Sequence, residues 1–161
     1  MKNLILVRHA KSSWEVPVQD KDRVLTCNGM KDAHLVAGHV KSLLPKTFTI
    51  WCSIAKRTTN TALIFAQNFL FPLDSIIYKD DLYTFDRKQL QKVVESCPDD
   101  IESLMIFGHN EAITDFVNRY GDVSIDNVPT SGLVFLKFDS PHWKTIKKAK
   151  TEHILFPKDL K

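Results

Sequence analysis

The hydrophobic pattern along the chain alternates between short apolar runs and longer segments in which apolar residues recur every three or four positions. The short runs predict six β-strands, at Asn3–Val7, Phe48–Ser53, Ser75–Tyr78, Ser103–Gly108, Leu133–Phe138 and Trp143–Lys148. The longer segments predict four helices, at Asn28–Leu44, Arg57–Asn68, Asp86–Ser96 and Glu111–Tyr120. Because strands and helices alternate through most of the chain, the pattern predicts a three-layer α/β/α architecture with a mostly parallel six-stranded sheet.

The last two predicted strands are separated only by the segment from Asp139 to His142. A connection this short is typical of a hairpin and cannot hold a crossover, so one strand is predicted to be antiparallel. No internal repeat, low-complexity tract or linker interrupts the chain of 161 residues. We therefore expect a single domain spanning residues 1–161.

Composition and charge narrow the class of partner. Hydrophobic residues make up 43% of the chain and charged residues 25%, which is typical of a folded domain rather than a disordered one. The net charge is only +3, and no run of Lys or Arg is long enough to follow a phosphate backbone. A nucleic-acid partner is therefore not expected.

Targeting features and cysteine spacing bear on the compartment. No segment approaches the roughly 18 consecutive apolar residues of a membrane span, and the apolar run after Met1 has no signal-peptide cleavage site. Cys27, Cys52 and Cys97 are odd in number and form no CxxC pair, which indicates free thiols rather than disulfides. We therefore expect a cytoplasmic protein with no membrane partner.

Two arginines and two histidines stand near the ends of predicted strands. Arg8 and His9 follow the first strand, Arg57 lies near the start of the helix after the second, and His109 follows the fourth. Parallel sheets bind their ligands beyond the carboxyl ends of the strands, so we expect these four side chains to meet there. Two guanidinium groups can each donate paired hydrogen bonds to phosphate oxygens, and together they suit a dianion better than a single carboxylate.

A histidine beside a bound phosphate can act as a covalent nucleophile if one ring nitrogen is unprotonated and the other donates to a fixed acceptor. A second histidine opposite can be cationic and stabilise charge on the equatorial oxygens. Taken singly, the Arg8-His9 pair or His109 is more often structural than catalytic, and no Cys/His spacing typical of a metal site accompanies them. Their convergence from three loops is what favours a phosphate site without a metal.

Four segments, in chain order, resemble those of a known family. They are LVRHAKSSW, DKDRVLTCNG, SIAKRTTNTA and FGHNEAITDFV. The first resembles the strand-Arg-His signature of the histidine phosphatase superfamily, and its Ala-Lys-Ser continuation resembles the short, SixA-type phosphohistidine phosphatases. The resemblance extends from Leu4 to about Phe138, and a match of that reach is far more specific than any one short motif.

The resemblance implies a phosphoglycerate mutase-like fold without an inserted cap, and a reaction that needs no metal or organic cofactor. The catalytic residues that it implies, with His9 as the phosphorylated nucleophile, are Arg8, His9, Arg57 and His109. It also implies that Ser12 and the backbone of Asn110 contact the phosphate of the substrate.

One departure from the family bears on the substrate. Mutase-like relatives carry a glutamate as general acid at the position of Thr84, and threonine cannot protonate a leaving alkoxide. Asp81 and Asp86 lie nearby in sequence, but a surface or helix-capping role is expected for each. A phosphorylated imidazole needs such an acid less than an ester does. The sequence therefore predicts a phosphatase acting on phosphohistidine in a protein.

Two other functions stay open. A general phosphomonoesterase for small phosphorylated molecules would need a displaced acid, for which Asp81 and Asp86 are the candidates. A non-catalytic phosphate-binding module would be favoured by the loss of a catalytic residue, but all four are present in the chain.

Overall fold

The computed structural model describes the whole chain, Met1–Lys161, and its main elements follow the predicted alternating order. The strands are β1 (Lys2–Arg8), β2 (Thr49–Ser53), β3 (Ile77–Lys79), β4 (Ser103–Gly108), β5 (Leu133–Phe138) and β6 (Ala149–Leu155). The helices are α1 (Cys27–Val40), α2 (Lys56–Phe69), α3 (Arg87–Glu95), α4 (Ala112–Tyr120) and α5 (Pro157–Leu160). None of the helices has both the length and the apolar content needed to cross a membrane.

The six strands form one sheet in the order β3-β2-β4-β1-β5-β6. The first four strands of that order are parallel to one another, whereas β5 is antiparallel to both β1 and β6. The prediction of a mostly parallel sheet with one antiparallel strand is therefore confirmed. At the centre, Val7 of β1 pairs with Phe107 of β4 on one side and with Leu133 of β5 on the other. The end of β1 is thus held from both sides.

The central strand β1 supplies core residues to both faces of the sheet. Leu4 and Leu6 are fully buried in the cluster that includes α3 and α4, and Ile5 and Val7 in the cluster that includes α1 and α2. Because successive strand side chains point to opposite faces, a strand between two helical layers is apolar at every position. That constraint explains the unbroken run LILV, and the predicted three-layer α/β/α architecture is confirmed.

The last strand begins later in the chain than predicted. The segment predicted as the strand Trp143–Lys148 opens with a 3-10 turn at Trp143–Thr145, and β6 starts only at Ala149. Trp143 is fully buried and donates from its indole nitrogen to the carbonyl oxygen of Ile101 (2.8 Å). A buried turn can have the same apolar composition as a short strand, and periodicity alone does not separate the two.

Two other elements are shorter than the pattern predicts. α1 ends at Val40 rather than at Leu44, because a 3-10 turn at Lys41–Leu43 continues the apolar spacing beyond it. β3 begins at Ile77, after a 3-10 turn that ends at Ser75. Short 3-10 turns are common beside regular elements, and their side chains extend the hydrophobic pattern of the neighbouring element.

The start of α1 packs against the loop that follows β1. The hydroxyl of Thr26 caps the helix by accepting from the N–H of Gly29 (2.9 Å), and the N–H of Thr26 donates to the carbonyl oxygen of Lys11 (2.9 Å). A Cβ atom on Gly29 would overlap that same Lys11 oxygen. The close approach therefore requires glycine at this position, and it holds the loop after β1 against the helix.

Alanine substitutions at two glycines of α1 should have opposite effects on stability. Gly29→Ala should lower the free energy of unfolding by about 1–3 kcal/mol, because its methyl group would push the Lys11 main chain away. Gly38→Ala should raise it by about 0.5–1 kcal/mol, since nothing lies within 4 Å of the added carbon and alanine favours a helix. Denaturant unfolding measures both, and the same sign for the two variants would contradict this account.

Candidate active site

The ends of two neighbouring parallel strands bring the two histidines together. β1 ends at Arg8, which is in register with Gly108, the last residue of β4. His9 and His109 come next, and the N–H of His9 donates to the carbonyl oxygen of Gly108 (3.1 Å). The centroids of the two imidazole rings are 5.4 Å apart, with an angle of 55° between the ring planes. The two side chains thus meet at the sheet edge where the sequence analysis expects them.

Arg57 reaches the same point from the first turn of α2. Only 1% of its surface is exposed. Its Nε donates to Nε2 of His9 (3.3 Å), and its Nη2 lies 3.4 Å from Nδ1 of His109. The edge of the guanidinium formed by Nε and Nη2, here called the inner edge, therefore faces both histidines.

A threonine ties Arg57 to the segment that carries His9. Thr61 lies one turn further along α2 and is fully buried. Its hydroxyl donates to the carbonyl oxygen of Arg57 (2.7 Å) and accepts from the N–H of Ala10 (2.8 Å). One side chain thus joins the loop after β1 to the turn of α2 that carries the arginine.

Arg8 is held by the loop that precedes β5. Its Nη1 donates to the carbonyl oxygen of Val128 (2.9 Å), whereas its Nε is buried without a hydrogen-bond partner in the protein. Ser131 supports the Arg8-His9 peptide, because its N–H donates to the carbonyl oxygens of both residues (3.1 Å each). A buried N–H donor without a partner is costly, and an oxyanion beside Arg8 would satisfy it.

The hydrogen bonds of His9 define its tautomer. Nδ1 lies 2.7 Å from the carbonyl oxygen of Ala10, which can only accept, so Nδ1 carries the ring proton. Nε2 accepts from Arg57 and therefore presents a lone pair. Burial lowers the pKa of His9 to about 4, with the charges of Arg57, Arg8 and Arg23 adding to the effect and the bond to Ala10 opposing it. At neutral pH, Nε2 is the unprotonated nitrogen that a nucleophile requires.

His109 is neutral at neutral pH as well. Its Nε2 is 2.8 Å from the hydroxyl oxygen of Ser53 and 3.5 Å from that of Thr58. Burial, reinforced by the nearby His9 and Arg57, lowers the pKa of His109 to about 3. With the charges of the chain alone, His109 is therefore not the cation considered from the sequence. A phosphoryl dianion beside it would raise its pKa, because opposite charge favours the protonated ring.

Asp20 is a site residue that sequence reasoning missed. Its carbonyl oxygen and its Oδ2 accept from Nη1 (2.7 Å) and Nη2 (3.0 Å) of Arg57, respectively. Its Oδ1 accepts from Nε of Arg23 (3.3 Å), and the hydroxyl of Tyr83 donates to Oδ2. Asp20 thus holds the edge of Arg57 formed by the two terminal nitrogens, here called the outer edge. The inner edge stays directed at the histidines.

The carboxyl group of Asp20 is ionised. Burial alone would raise the pKa of Asp20, but the hydrogen bonds from Tyr83 and Arg57 and the charges of Arg57 and Arg23 outweigh burial, and the net pKa is lowered. Its side chain is nevertheless 40% exposed. Asp20 is therefore an anion at the mouth of the site rather than a group enclosed within it.

Arg23 is a third arginine near the candidate nucleophile. It is buried, it donates from Nη1 to the hydroxyl oxygen of Ser12, and its guanidinium carbon lies 3.5 Å from the ring centroid of Trp14. The hydroxyl of Ser12 is thus already engaged, and its predicted contact with phosphate stays a prediction. The available signal for Arg23 and Asp20 was the segment DKDRVLTCNG, which resembles the family as a block.

The side chain of Asn110 has a structural task. Its Oδ1 accepts from the N–H (3.1 Å) and the hydroxyl (2.7 Å) of Thr114 in the first turn of α4, and its Nδ2 donates to Asn127 Oδ1 (2.8 Å). The main-chain N–H of Asn110 donates no hydrogen bond within the protein. The backbone of Asn110 is predicted to contact phosphate, this N–H is available for such a contact, and the prediction stays open.

The carboxylates considered as displaced acids lie outside this network. Thr84 accepts through its hydroxyl from the N–H of Asp86 (3.1 Å), and Asp86 caps α3 by accepting from the N–H of Gln89 (3.2 Å). Asp81 is exposed and makes no hydrogen bond or ion pair with the site. Asp86 thus has the helix-capping role expected from the sequence. No group of three or more His, Cys, Asp or Glu side chains has an arrangement suited to a metal ion.

The chain is similar in sequence to a known protein family and to individual proteins. A family model described as the histidine phosphatase superfamily (branch 1) matches residues 4–92, which is more than half of the chain. An uncharacterised protein of Mycobacterium tuberculosis is 24% identical over 151 residues, a region that covers 88% of this chain and 92% of the relative.

Several solved structures share the fold. The protein histidine phosphatase SixA complexed with tungstate has a TM-score of 0.83 at 17% identity, with 99% of each chain covered. The putative phosphohistidine phosphatase SixA from Nakamurella multipartitia has a TM-score of 0.80 at 22% identity, covering 97% of this chain and 96% of the other. A mycobacterial glucosyl-3-phosphoglycerate phosphatase has a TM-score of 0.67 at 10% identity, covering 94% and 97%. The predicted phosphoglycerate mutase-like fold is confirmed.

Protonation of His9 should occur far below the ordinary histidine range. We expect the ring to be neutral at neutral pH and half-protonated near pH 4, where its pKa lies. Nitrogen NMR of the imidazole rings measures this directly. A midpoint near the ordinary value of 6.5 would contradict the burial and hydrogen bonding described for His9.

The same shift determines how stability depends on pH. In the unfolded chain His9 has its ordinary pKa of 6.5, so between that pH and about 4 the unfolded state binds more protons than the folded state. The free energy of unfolding should therefore fall as pH is lowered through this window, and His109 should act in the same direction. Urea unfolding at a series of pH values tests the sign.

Proposed function

The chain belongs to the histidine phosphatase superfamily, and from this premise we propose that it removes the phosphoryl group from phosphohistidine through a covalent intermediate on His9. The observation that carries the proposal is the geometry of the His9 ring. Nδ1 is held as a donor by the carbonyl oxygen of Ala10 (2.7 Å), so Nε2 offers its lone pair beside the inner edge of Arg57. A nitrogen nucleophile needs this arrangement next to a phosphate-binding group.

The phosphoryl oxygens are bound by donors that the fold leaves available. Nε of Arg8 has no partner, and the main-chain N–H of Asn110 donates no bond within the protein. The inner edge of Arg57 makes only long contacts with His9 and His109, of 3.3 and 3.4 Å. Charge-assisted bonds to a phosphoryl dianion replace those contacts at shorter distances. His109 takes up a proton in response and adds a positive charge.

The first chemical step transfers the phosphoryl group to His9. Nε2 attacks phosphorus with its lone pair, and the P–N bond to the substrate imidazole breaks. The electron pair of that bond returns to the substrate ring nitrogen, and a ring that already carries a proton on its other nitrogen leaves as neutral imidazole. Through this step the proton of His9 stays on Nδ1 and remains hydrogen-bonded to the carbonyl oxygen of Ala10, which stabilises the positive charge that develops on the ring.

The second step releases phosphate. A water molecule attacks the phosphorus of phospho-His9, the electron pair of the P–Nε2 bond returns to His9, and both protons of the water leave on oxygens of the released phosphate. The products are inorganic phosphate and the starting tautomer of the enzyme. No metal or organic cofactor takes part in either step as proposed.

The leaving group is the reason for favouring phosphohistidine over an ester. An alkoxide needs a proton from a general acid, a contribution of about 10²–10⁴ in rate. Thr84 stands at the position that the resemblance assigns to the acid of mutase-like relatives. Asp86 caps α3, and Asp81 makes no hydrogen bond or ion pair with the site. From a protonated phosphoimidazole, the ring leaves as neutral imidazole and needs no proton from a general acid.

The open rim of the site favours a protein substrate. Trp14 and Phe85 flank the site with 76% and 52% of their surfaces exposed, and the segment between β3 and β4 holds only a short turn and α3. A small metabolite is usually bound in a more enclosed pocket. We also propose that residues 1–161 form a single domain. Hydrolysis of small phosphorylated molecules is the second candidate, as the fold likeness to glucosyl-3-phosphoglycerate phosphatase illustrates.

Substitution of the nucleophile should remove turnover and labelling together. Denaturation in base during turnover should trap phosphate on His9, and the label should be lost in acid, as a phosphoramidate is. His9→Ala should show neither turnover nor label by peptide mass spectrometry. His39→Ala, at an exposed position of α1, should retain both and serves as the matched control. Near-native turnover by His9→Ala would remove His9 from the mechanism.

A carboxyl group introduced at residue 84 should extend the substrate range to alkyl phosphates. The native protein should cleave phosphoimidazole best, an aryl phosphate next and phosphoserine barely, because only the last needs a strong proton donor. Thr84→Glu should raise phosphoserine turnover by about tenfold or more, whereas Thr84→Gln, which has the same shape without the acid, should not.

Two further variants test the second candidate function, which requires a displaced general acid. If the native protein cleaves phosphoserine readily, and Asp81→Asn or Asp86→Asn abolishes that activity, a displaced acid exists. The general phosphomonoesterase function would then replace the phosphohistidine one.

A further inference from the structure

The carboxylate of Asp20 retains acceptor capacity at the mouth of the site. Its Oδ2 accepts two hydrogen bonds, from Arg57 and from the hydroxyl of Tyr83, while its Oδ1 accepts only one, from Nε of Arg23. An ionised carboxylate offers about four acceptor positions. One position on Oδ1 is therefore unused, and the side chain as a whole is 40% exposed.

A bound phosphoryl group does not need to displace Asp20. Asp20 holds the outer edge of Arg57, whereas the phosphoryl group lies on the inner edge with the two histidines. In-line attack by Nε2 of His9 sends the leaving group away from His9. His9 is only 9% exposed, so in the proposed reaction the leaving group departs outwards, towards solvent. The side chain of Asp20, which is 40% exposed and bound to the same arginine that contacts His9, lies on that outer side.

We propose that Asp20 selects the leaving group, by accepting through Oδ1 a hydrogen bond from the ring N–H of the protonated phosphoimidazole. The inference rests on the proposed function and assigns Asp20 a part in its specificity. As the P–N bond breaks, the electron pair goes to the ring nitrogen that held phosphorus. The N–H proton stays on the ring, and Asp20 gains and loses none.

The same negative charge disfavours other leaving groups. A departing phenolate or alkoxide brings its own negative charge beside Asp20, and like charges at short range repel. Asp20 is ionised through its bonds to two arginines and a tyrosine, so it cannot supply a proton to either anion. One carboxylate thus raises the reactivity of a phosphorylated imidazole and lowers that of an ester.

A purely structural role for Asp20 makes a different prediction. If Asp20 only aligns Arg57, its loss weakens phosphoryl transfer from every substrate by the same factor. If Asp20 were instead a general acid, its loss would affect phosphoserine and spare an aryl phosphate. The identity of the leaving group therefore separates the three roles.

The test compares kcat/KM of native protein and Asp20→Asn on phosphoimidazole, p-nitrophenyl phosphate and phosphoserine at one pH. Loss of one charge-assisted hydrogen bond should lower phosphoimidazole turnover by about tenfold or more. Turnover of p-nitrophenyl phosphate should fall by a smaller factor, because only the alignment of Arg57 is weakened for this substrate, and the remaining turnover also reports that the variant is folded. Asp20→Glu keeps the charge and should retain most of the phosphoimidazole preference. Asp22→Asn, an exposed carboxylate two positions away, is the matched control and should leave all three rates unchanged.

A substrate lacking the N–H gives a second measurement that needs no variant. The ring of 1-methyl-3-phosphoimidazole carries the same positive charge as the protonated ring of phosphoimidazole, but it cannot donate a hydrogen bond to Oδ1. With each rate divided by the uncatalysed rate of the same compound, the native protein should prefer phosphoimidazole over the methylated form by about tenfold. Asp20→Asn should lose that preference.

Three results would overturn the inference: an equal loss on phosphoimidazole and p-nitrophenyl phosphate, a loss confined to phosphoserine, or no native preference for the N–H compound. Absence of native phosphoimidazole turnover alongside p-nitrophenyl phosphate cleavage is a separate result. It would refute the proposed function itself, and the inference with it.

Discussion

The hydrogen bond between Nδ1 of His9 and the carbonyl oxygen of Ala10 is the interaction on which the chemistry of this site depends. A neutral imidazole has one protonated nitrogen, and this contact assigns the proton to Nδ1, leaving Nε2 free. The assignment requires the backbone of residues 8–10 to be rigid. Pairing of β1 with β4 and β5, and the bonds from Ser131 to the Arg8 and His9 carbonyls, supply that rigidity.

The parts of the molecule that were predictable from the sequence are those governed by periodicity and by strand ends. Buried strands such as β1 and β4 are apolar at every position, and parallel strands bring the residues after them to one edge, so the meeting of His9, Arg57 and His109 could be anticipated. The last strand was misassigned because two buried apolar residues lie outside it: Trp143 in a 3-10 turn and Ile146 directly after that turn. A buried turn can therefore have the same apolar composition as a buried strand.

Asp20 and Arg23 could not be found in this way. They lie in the long loop between β1 and α1, which has no hydrophobic period, and an Asp-Lys-Asp-Arg sequence is typical of an exposed surface. Their importance comes from the fold of that loop, which brings Asp20 to the outer edge of Arg57 and buries Arg23 beneath Trp14. Contacts between residues far apart in sequence, such as Asp20 with Tyr83, leave no mark on either segment alone.

The double hydrogen bond of Thr61 has a consequence for motion within the site. Its hydroxyl is shared between the N–H of Ala10 and the carbonyl oxygen of Arg57, so the backbone beside His9 and the backbone of Arg57 are connected through a single oxygen atom. Because the sheet holds the backbone around Ala10, the two bonds of Thr61 oppose displacement of the first turn of α2 relative to the sheet. The link therefore limits variation in the separation between Nε2 of His9 and the Arg57 guanidinium.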